Sequence, residues 1–130
     1  MGIKSRNKEI GNLGEDIACR FLMKRGFKLI TRNYLRKYGE IDIVVEKETK
    51  IHFVEVKTVS RSYVSHETWG DHRPEENVHH NKIQRMRRVI QVYLSEQVSP
   101  ETEWFFDIVT VLLDREAKKA KVSFMENIIL

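Results

Sequence analysis

Glu40, Asp42, Glu55 and Lys57 punctuate a stretch otherwise suited to two apolar strands, GEIDIVVEKETKIHFVEVKT, Gly39 to Thr58. Folding it about a turn centred between Glu48 and Thr49 sets Asp42 opposite Glu55, Glu40 opposite Lys57 and Val44 opposite Phe53. One face then carries all four charged groups at one end. The other pairs Ile41 with Val56 and Ile43 with Val54, an apolar core. Slipping the register by one residue would scatter the charges over both faces. Directly opposed side chains have Cβ atoms about 4.5–5.5 Å apart, so Asp42 and Glu55 repel unless a cation lies between them. Mg²⁺ takes carboxylate oxygens at about 2.1 Å and keeps several waters, so two carboxylates on neighbouring strands make an open site. Lys57 adds a positive charge beside Glu55. The competing explanation is a set of cross-strand ion pairs, Glu40 with Lys57 above all.

The elements that must position these groups follow from periodicity. Ile10, Leu13, Ile17 and Phe21 recur at helical spacing from Glu9 to Arg25, and Gly26 is a natural stop. Phe27 to Tyr34 alternates as a strand and leads by a basic turn into the hairpin. Asn81 with Gln84 resembles an N-cap pair, and Ile83, Met86, Ile90 and Tyr93 mark one face of a second helix to about Gln97. WFFDIVTVLL, Trp104 to Leu113, is the pattern of a strand covered on both faces, and Lys121 to Phe124 forms a last short strand. A strand, helix and strand in succession imply a crossover and hence a mixed sheet with helices packed on it, an α/β fold.

The chain of 130 residues suits one domain, 1–130, with a single core. Hydrophobic residues at 41% and charged residues at 32%, without repeats, are those of a folded soluble protein. Residues 60–80 break the periodicity and read as a long mobile loop. A single cysteine, Cys19, allows no internal disulfide, and no apolar run suits a signal peptide or membrane span, which points to a cytoplasmic protein away from membranes. The net charge of +4 is unevenly spread, and Lys82, Arg85, Arg87 and Arg88 form a block without acids. Such a block fits a polyanion, though solvated surfaces often look the same.

Further residues divide between two explanations. Glu15 shares a helix face with Gly11, Ala18 and Leu22, so it either points towards the hairpin acids or serves the helix dipole. Glu40 is either a carboxylate supporting the site or a partner of Lys57. His66, His72, His79 and His80 have no cysteine among them and no compact metal spacing, so solvated histidines are favoured over zinc ligands. Trp69 could stack on a base or anchor its loop. Asp107 lies among apolar neighbours and needs a partner that the sequence does not identify. No Gly-rich phosphate loop or Ser/His/Asp order is present.

GNLGEDIACRFL, RNYLRKYGEIDIVV, FVEVKT, NKIQRM and FFDIVTV, in that order, resemble the small bacterial YraN-like proteins of the PD-(D/E)XK nuclease superfamily, and within it are similar to archaeal Holliday junction resolvases. The resemblance spans about Lys8 to Leu112. It implies a restriction-endonuclease-like core, a mixed β-sheet flanked by α-helices, with a phosphodiesterase site using Mg²⁺ or Mn²⁺. By that resemblance Asp42, Glu55 and Lys57 are the catalytic motif. Glu15 joins Asp42 and Glu55 around the metal, and Lys82 or Gln84 takes the polar position on the following helix. The usual Arg after Thr58 is replaced by Val59, and Ile41 stands where the motif's literal proline would precede Asp42.

The expectation is a metal-dependent endonuclease for DNA, branched or structured DNA included. Lys82, Arg85 and Arg88 contact flanking phosphates, Glu40 and Gln84 support the site, and a homodimer sets two sites on two strands. The alternative is a nucleic-acid-binding module in repair or recombination that keeps the cluster and hydrolyses nothing.

Overall fold

The computed structural model describes residues 3–61 and 80–130, and side chains from Lys8 onward except those of Arg61 and His80. The element order is α1 (Ile3–Lys24), β1 (Lys28–Arg36), β2 (Gly39–Lys47), β3 (Lys50–Arg61), α2 (His80–Gln97), β4 (Trp104–Asp114) and β5 (Lys119–Met125). The strands form one sheet in sequence order. β3 and β4 are parallel while the other neighbours are antiparallel, so the expected mixed α/β sheet is present.

Apolar alternation assigns each helix a face. Ala18, Cys19 and Leu22 of α1 bury against Ile43, Val45, Val54, Val109 and Val111. Met86, Val89, Ile90, Tyr93 and Leu94 of α2 bury against Val44, Ile51, Phe53, Phe106 and Ile108 on the other face. Both faces of β4 are therefore covered, and Phe106 to Leu113 are buried without interruption. Fully burying one such side chain contributes about 1.5–3 kcal/mol, so the two helices cannot easily leave the sheet. At Gly14 α1 lies close against β3: a Cβ there would stand 1.8 Å from Thr58 Oγ1.

Several boundaries differ from the sequence reading. α1 begins before Glu9, where Lys4, Arg6 and Lys8 are good helix formers. α2 is already under way at His80, so Asn81 lies inside it instead of capping it. Ser60 and Arg61 continue β3, paired with Leu113 and Asp114 of β4. The remainder of the 60–80 loop, with Trp69 and the histidines at 66, 72 and 79, lies outside the described residues. No helix among the described residues is long and apolar enough to cross a membrane.

Candidate functional site

The hairpin register is the expected one: Lys47 pairs with Lys50, Val44 with Phe53 and Ile43 with Val54. There the β2–β3 ladder ends. Asp42 turns its carboxylate into the sheet plane, where Oδ2 accepts the Val56 N–H at 2.8 Å, a donor the ladder leaves over. The expected oppositions of Asp42 with Glu55, Glu40 with Lys57 and Ile41 with Val56 are consequently not ladder pairs. The two strands part where their acids would otherwise collide.

The faces change at the same point. Ile43 packs on the α1 side, but Ile41, two residues away, packs on the α2 side with Tyr34, its partner in β1. Strict alternation would keep Ile41 and Ile43 together. Asn33, between Arg32 and Tyr34 in β1, has a φ of 53°, a left-handed conformation that asparagine tolerates better than most residues. At this irregularity Asp42 faces the middle of α1 instead of the α2-side core.

There it meets Glu15 and Glu40. One carboxylate oxygen from each of Glu15, Glu40 and Asp42 lies within 4.8 Å of the others. Asp42, Glu15, Val56 and Thr58 line an open cavity of about 360 Å³. Burial pushes the Asp42 carboxyl up to about 7, the Val56 N–H opposes this, and the charges of Glu15, Glu55 and Glu40 reinforce it. Oxygens sharing one Mg²⁺ at about 2.1 Å lie at most about 4.2 Å apart, so slight side-chain rotation would close this set around a hard cation. Three oxygen donors and an under-compensated negative charge fit Mg²⁺ or Mn²⁺.

Glu15 is held in place. Asn33 Nδ2 donates to Glu15 Oε1 at 3.0 Å, and Arg32 Nη2 lies 3.3 Å from the same oxygen. Arg32 also bonds Asp16 Oδ1 through Nη1 at 2.9 Å. Its buried Nε has no partner among the described residues. Sequence reasoning singled out neither Arg32 nor Asn33. The available signals were Asp16 beside Glu15, and an asparagine inside a strand pattern, which marks an irregular backbone.

Glu55 stands apart from the three clustered acids: its carboxylate pairs with Lys82 of α2. Lys57 is near both, and burial and the Lys82 ammonium lower its pKa while Glu55 works against them. Beyond Lys82, a small crevice of about 180 Å³ runs from Glu40 past Tyr38 to Arg85. Arg85, Arg87 and Arg88 are exposed, with the Arg88 guanidinium 4.3 Å from the centre of the Tyr38 ring. Gln84 lies in an adjoining groove with Arg85 and Arg88, outside the acidic cavity. The basic face of α2 thus begins at the acidic cluster and leads away from it.

Asp107 finds the partners the sequence could not identify, His52 Nδ1 at 2.6 Å and the Asn127 N–H at 2.8 Å.

Fold and site together define a mixed-sheet α/β domain with a carboxylate cluster where two strands part. The profile of Uncharacterised protein family UPF0102 matches residues 14–111, and the chain belongs to this family. A UPF0102 protein of Syntrophomonas wolfei is 36% identical over 121 residues, covering 93% of this chain and 97% of the relative. One from Alkaliphilus oremlandii is 39% identical over 123 residues with the same coverage. One from Campylobacter jejuni is 33% identical over 129 residues, 98% of each chain.

Proposed function

We propose that the protein is a metal-dependent endonuclease of restriction-endonuclease-like architecture that hydrolyses phosphodiester bonds in DNA, structured DNA included. The reading is carried by the meeting of Glu15, Glu40 and Asp42 oxygens within 4.8 Å at the strand parting. Lys57 lies close enough to Lys82 of α2 for the two charges to interact. Glu15 and Asp42 would hold Mg²⁺ or Mn²⁺, with Glu40 beside them and Glu55 able to turn in from Lys82. A bound divalent ion would neutralise the scissile phosphate and lower the pKa of an attacking water.

The chain's own groups supply the rest. Lys57, with its pKa lowered, can exchange a proton with the water and offset charge developing on the phosphorus-bound oxygens. Asn33 and Arg32 keep Glu15 from swinging into solvent. Lys82, Arg85 and Arg88 would contact flanking phosphates. A homodimer would bring two such sites to two strands.

One observation favours a second reading. Glu55 is engaged by Lys82, as in an ion-pair network that supports binding and no hydrolysis. Cleavage of labelled linear, flapped and four-way-junction DNA with Mg²⁺, Mn²⁺ or EDTA separates the two. The nuclease reading expects metal-dependent cutting that falls roughly a hundredfold or more in Lys57→Ala and Glu55→Gln, with DNA binding retained. Salt-sensitive binding without cutting of any substrate would establish the binding module instead.

A further inference from the structure

At the turn end of the β2–β3 hairpin, far along both strands from the acidic cluster, a second cavity of about 460 Å³ opens beside His52. His52 is only 8% exposed. Its Nδ1 faces Asp107, which is fully buried, and Asp107 Oδ1 is occupied by the Asn127 N–H. A carboxylate only accepts, so Nδ1 presents its N–H to Asp107. Nε2 is the polar atom that the ring has left. It has no partner among the described residues, and the ring lines the cavity.

This imidazole is firmly mounted. Phe105 stacks on it with centroids 5.0 Å apart, and the edge of Phe27 meets it at 5.0 Å. Joining β3 to the carboxy-terminal segment explains the Nδ1 side of the ring. It leaves Nε2 without a protein partner among the described residues, on a cavity that a ligand can enter.

The rim shows what could satisfy it. Arg25, Lys47 and Lys50 outnumber Glu48 and Glu126 around the opening. Lys47 is fixed by donating to the Arg25 carbonyl at 2.9 Å, and the Lys50 ammonium lies 5.8 Å from the centre of the Phe105 ring. The excess of cations disfavours a metal ion, and a neutral apolar ligand would leave Nε2 bare. The fitting ligand is an anion that can still share a proton with Nε2. A carboxylate keeps essentially no proton at neutral pH, whereas a phosphate monoester, with a second pKa near about 6, still holds one in about a tenth of its population. The aromatic walls, Phe105 and Phe124, suit a planar base attached to it.

We propose that this cavity binds the phosphate monoester of a nucleotide, a phosphate oxygen meeting His52 Nε2 and the phosphate charge balanced by Arg25, Lys47 and Lys50. The shared chemistry admits a free nucleotide or the phosphorylated end of a strand. The site is independent of the acidic cluster.

The test titrates the full chain, labelled with ¹⁵N-histidine, while the His52 ring resonances are followed by NMR. The probes are adenosine 5′-monophosphate, adenosine, and two short single-stranded DNAs differing only in a 5′-phosphate. Saturable shifts with the monophosphate or the phosphorylated DNA, but not with adenosine or the 5′-hydroxyl DNA, are expected. The tighter of the two binders identifies the source. Lys47→Ala/Lys50→Ala should weaken binding about tenfold or more, as loss of charge-assisted contacts does, without moving the Asp107-bonded Nδ1 resonance. Asp42→Asn should leave binding unchanged. Unmoved His52 resonances with every probe, or equal shifts with the 5′-hydroxyl DNA, would overturn the proposal. Loss of binding in Asp42→Asn would move the ligand to the acidic cluster and overturn it equally.

Discussion

Asp42 carries two burdens at once, closing the backbone hydrogen bonding at Val56 and facing the carboxylates of Glu15 and Glu40. Its pKa, pushed up from 3.8 to about 7 chiefly by burial, means that the folded protein binds a proton which the unfolded chain has already released. In EDTA, the corresponding share of stability should be fully present at low pH. It should decline as pH rises from about 4 through about 7, and level off above. Asp42→Asn keeps an acceptor for Val56 and removes the titrating acid. Urea unfolding at several pH values should therefore show a flatter profile for Asp42→Asn than for the parent, and parallel profiles would contradict the pKa assignment. If the acids hold a cation, Mg²⁺ should stabilise the parent more at pH 8 than at pH 5, because the proton and the cation compete for the same oxygens.

At the scale of elements, the site depends on how closely α1 lies against β3. The contact passes through Gly14, where any Cβ would run into Thr58. Alanine favours a helix over glycine by about 1 kcal/mol, but overpacking costs typically about 1–3 kcal/mol, so the collision should win. Gly14→Ala should lower the thermal midpoint and, by lifting α1, loosen Glu15 from Asn33 and Arg32. Weakened Mg²⁺ binding beside a modest loss of stability is the expected pair of results. An unchanged or raised midpoint would show that the helix can shift at little cost. Element types and the hairpin register were legible in the sequence because turn residues and apolar periodicity act locally. The parting of β2 from β3 at Asp42 was not. It coincides with a left-handed Asn33 in a neighbouring strand and with a carboxylate that takes the Val56 N–H, neither of which a pairing rule for two strands contains.

For the whole molecule, Glu40 links the two charged regions, belonging both to the acidic cluster and to the crevice that leads past Lys82 to Arg85. Each phosphate contact removed should reduce the slope of log affinity against log salt by about 0.9, so Arg85→Ala/Arg88→Ala should lower it by about 2 in DNA binding. An unchanged slope would mean that DNA does not run along α2. The α/β class, the two amphipathic helices, the hairpin register and the family resemblance were readable before any folding, because these depend on local spacing and residue type. Which charged groups meet emerges only in the folded chain: Glu40 with Glu15 and Asp42, and Glu55 with Lys82. It also supplied Asn33 and Arg32 as the partners of Glu15, and His52 as the partner of Asp107. Those pairings join residues far apart in the chain, and the packing of α1 and α2 on the two faces of the sheet selects among carboxylates that look equivalent in sequence.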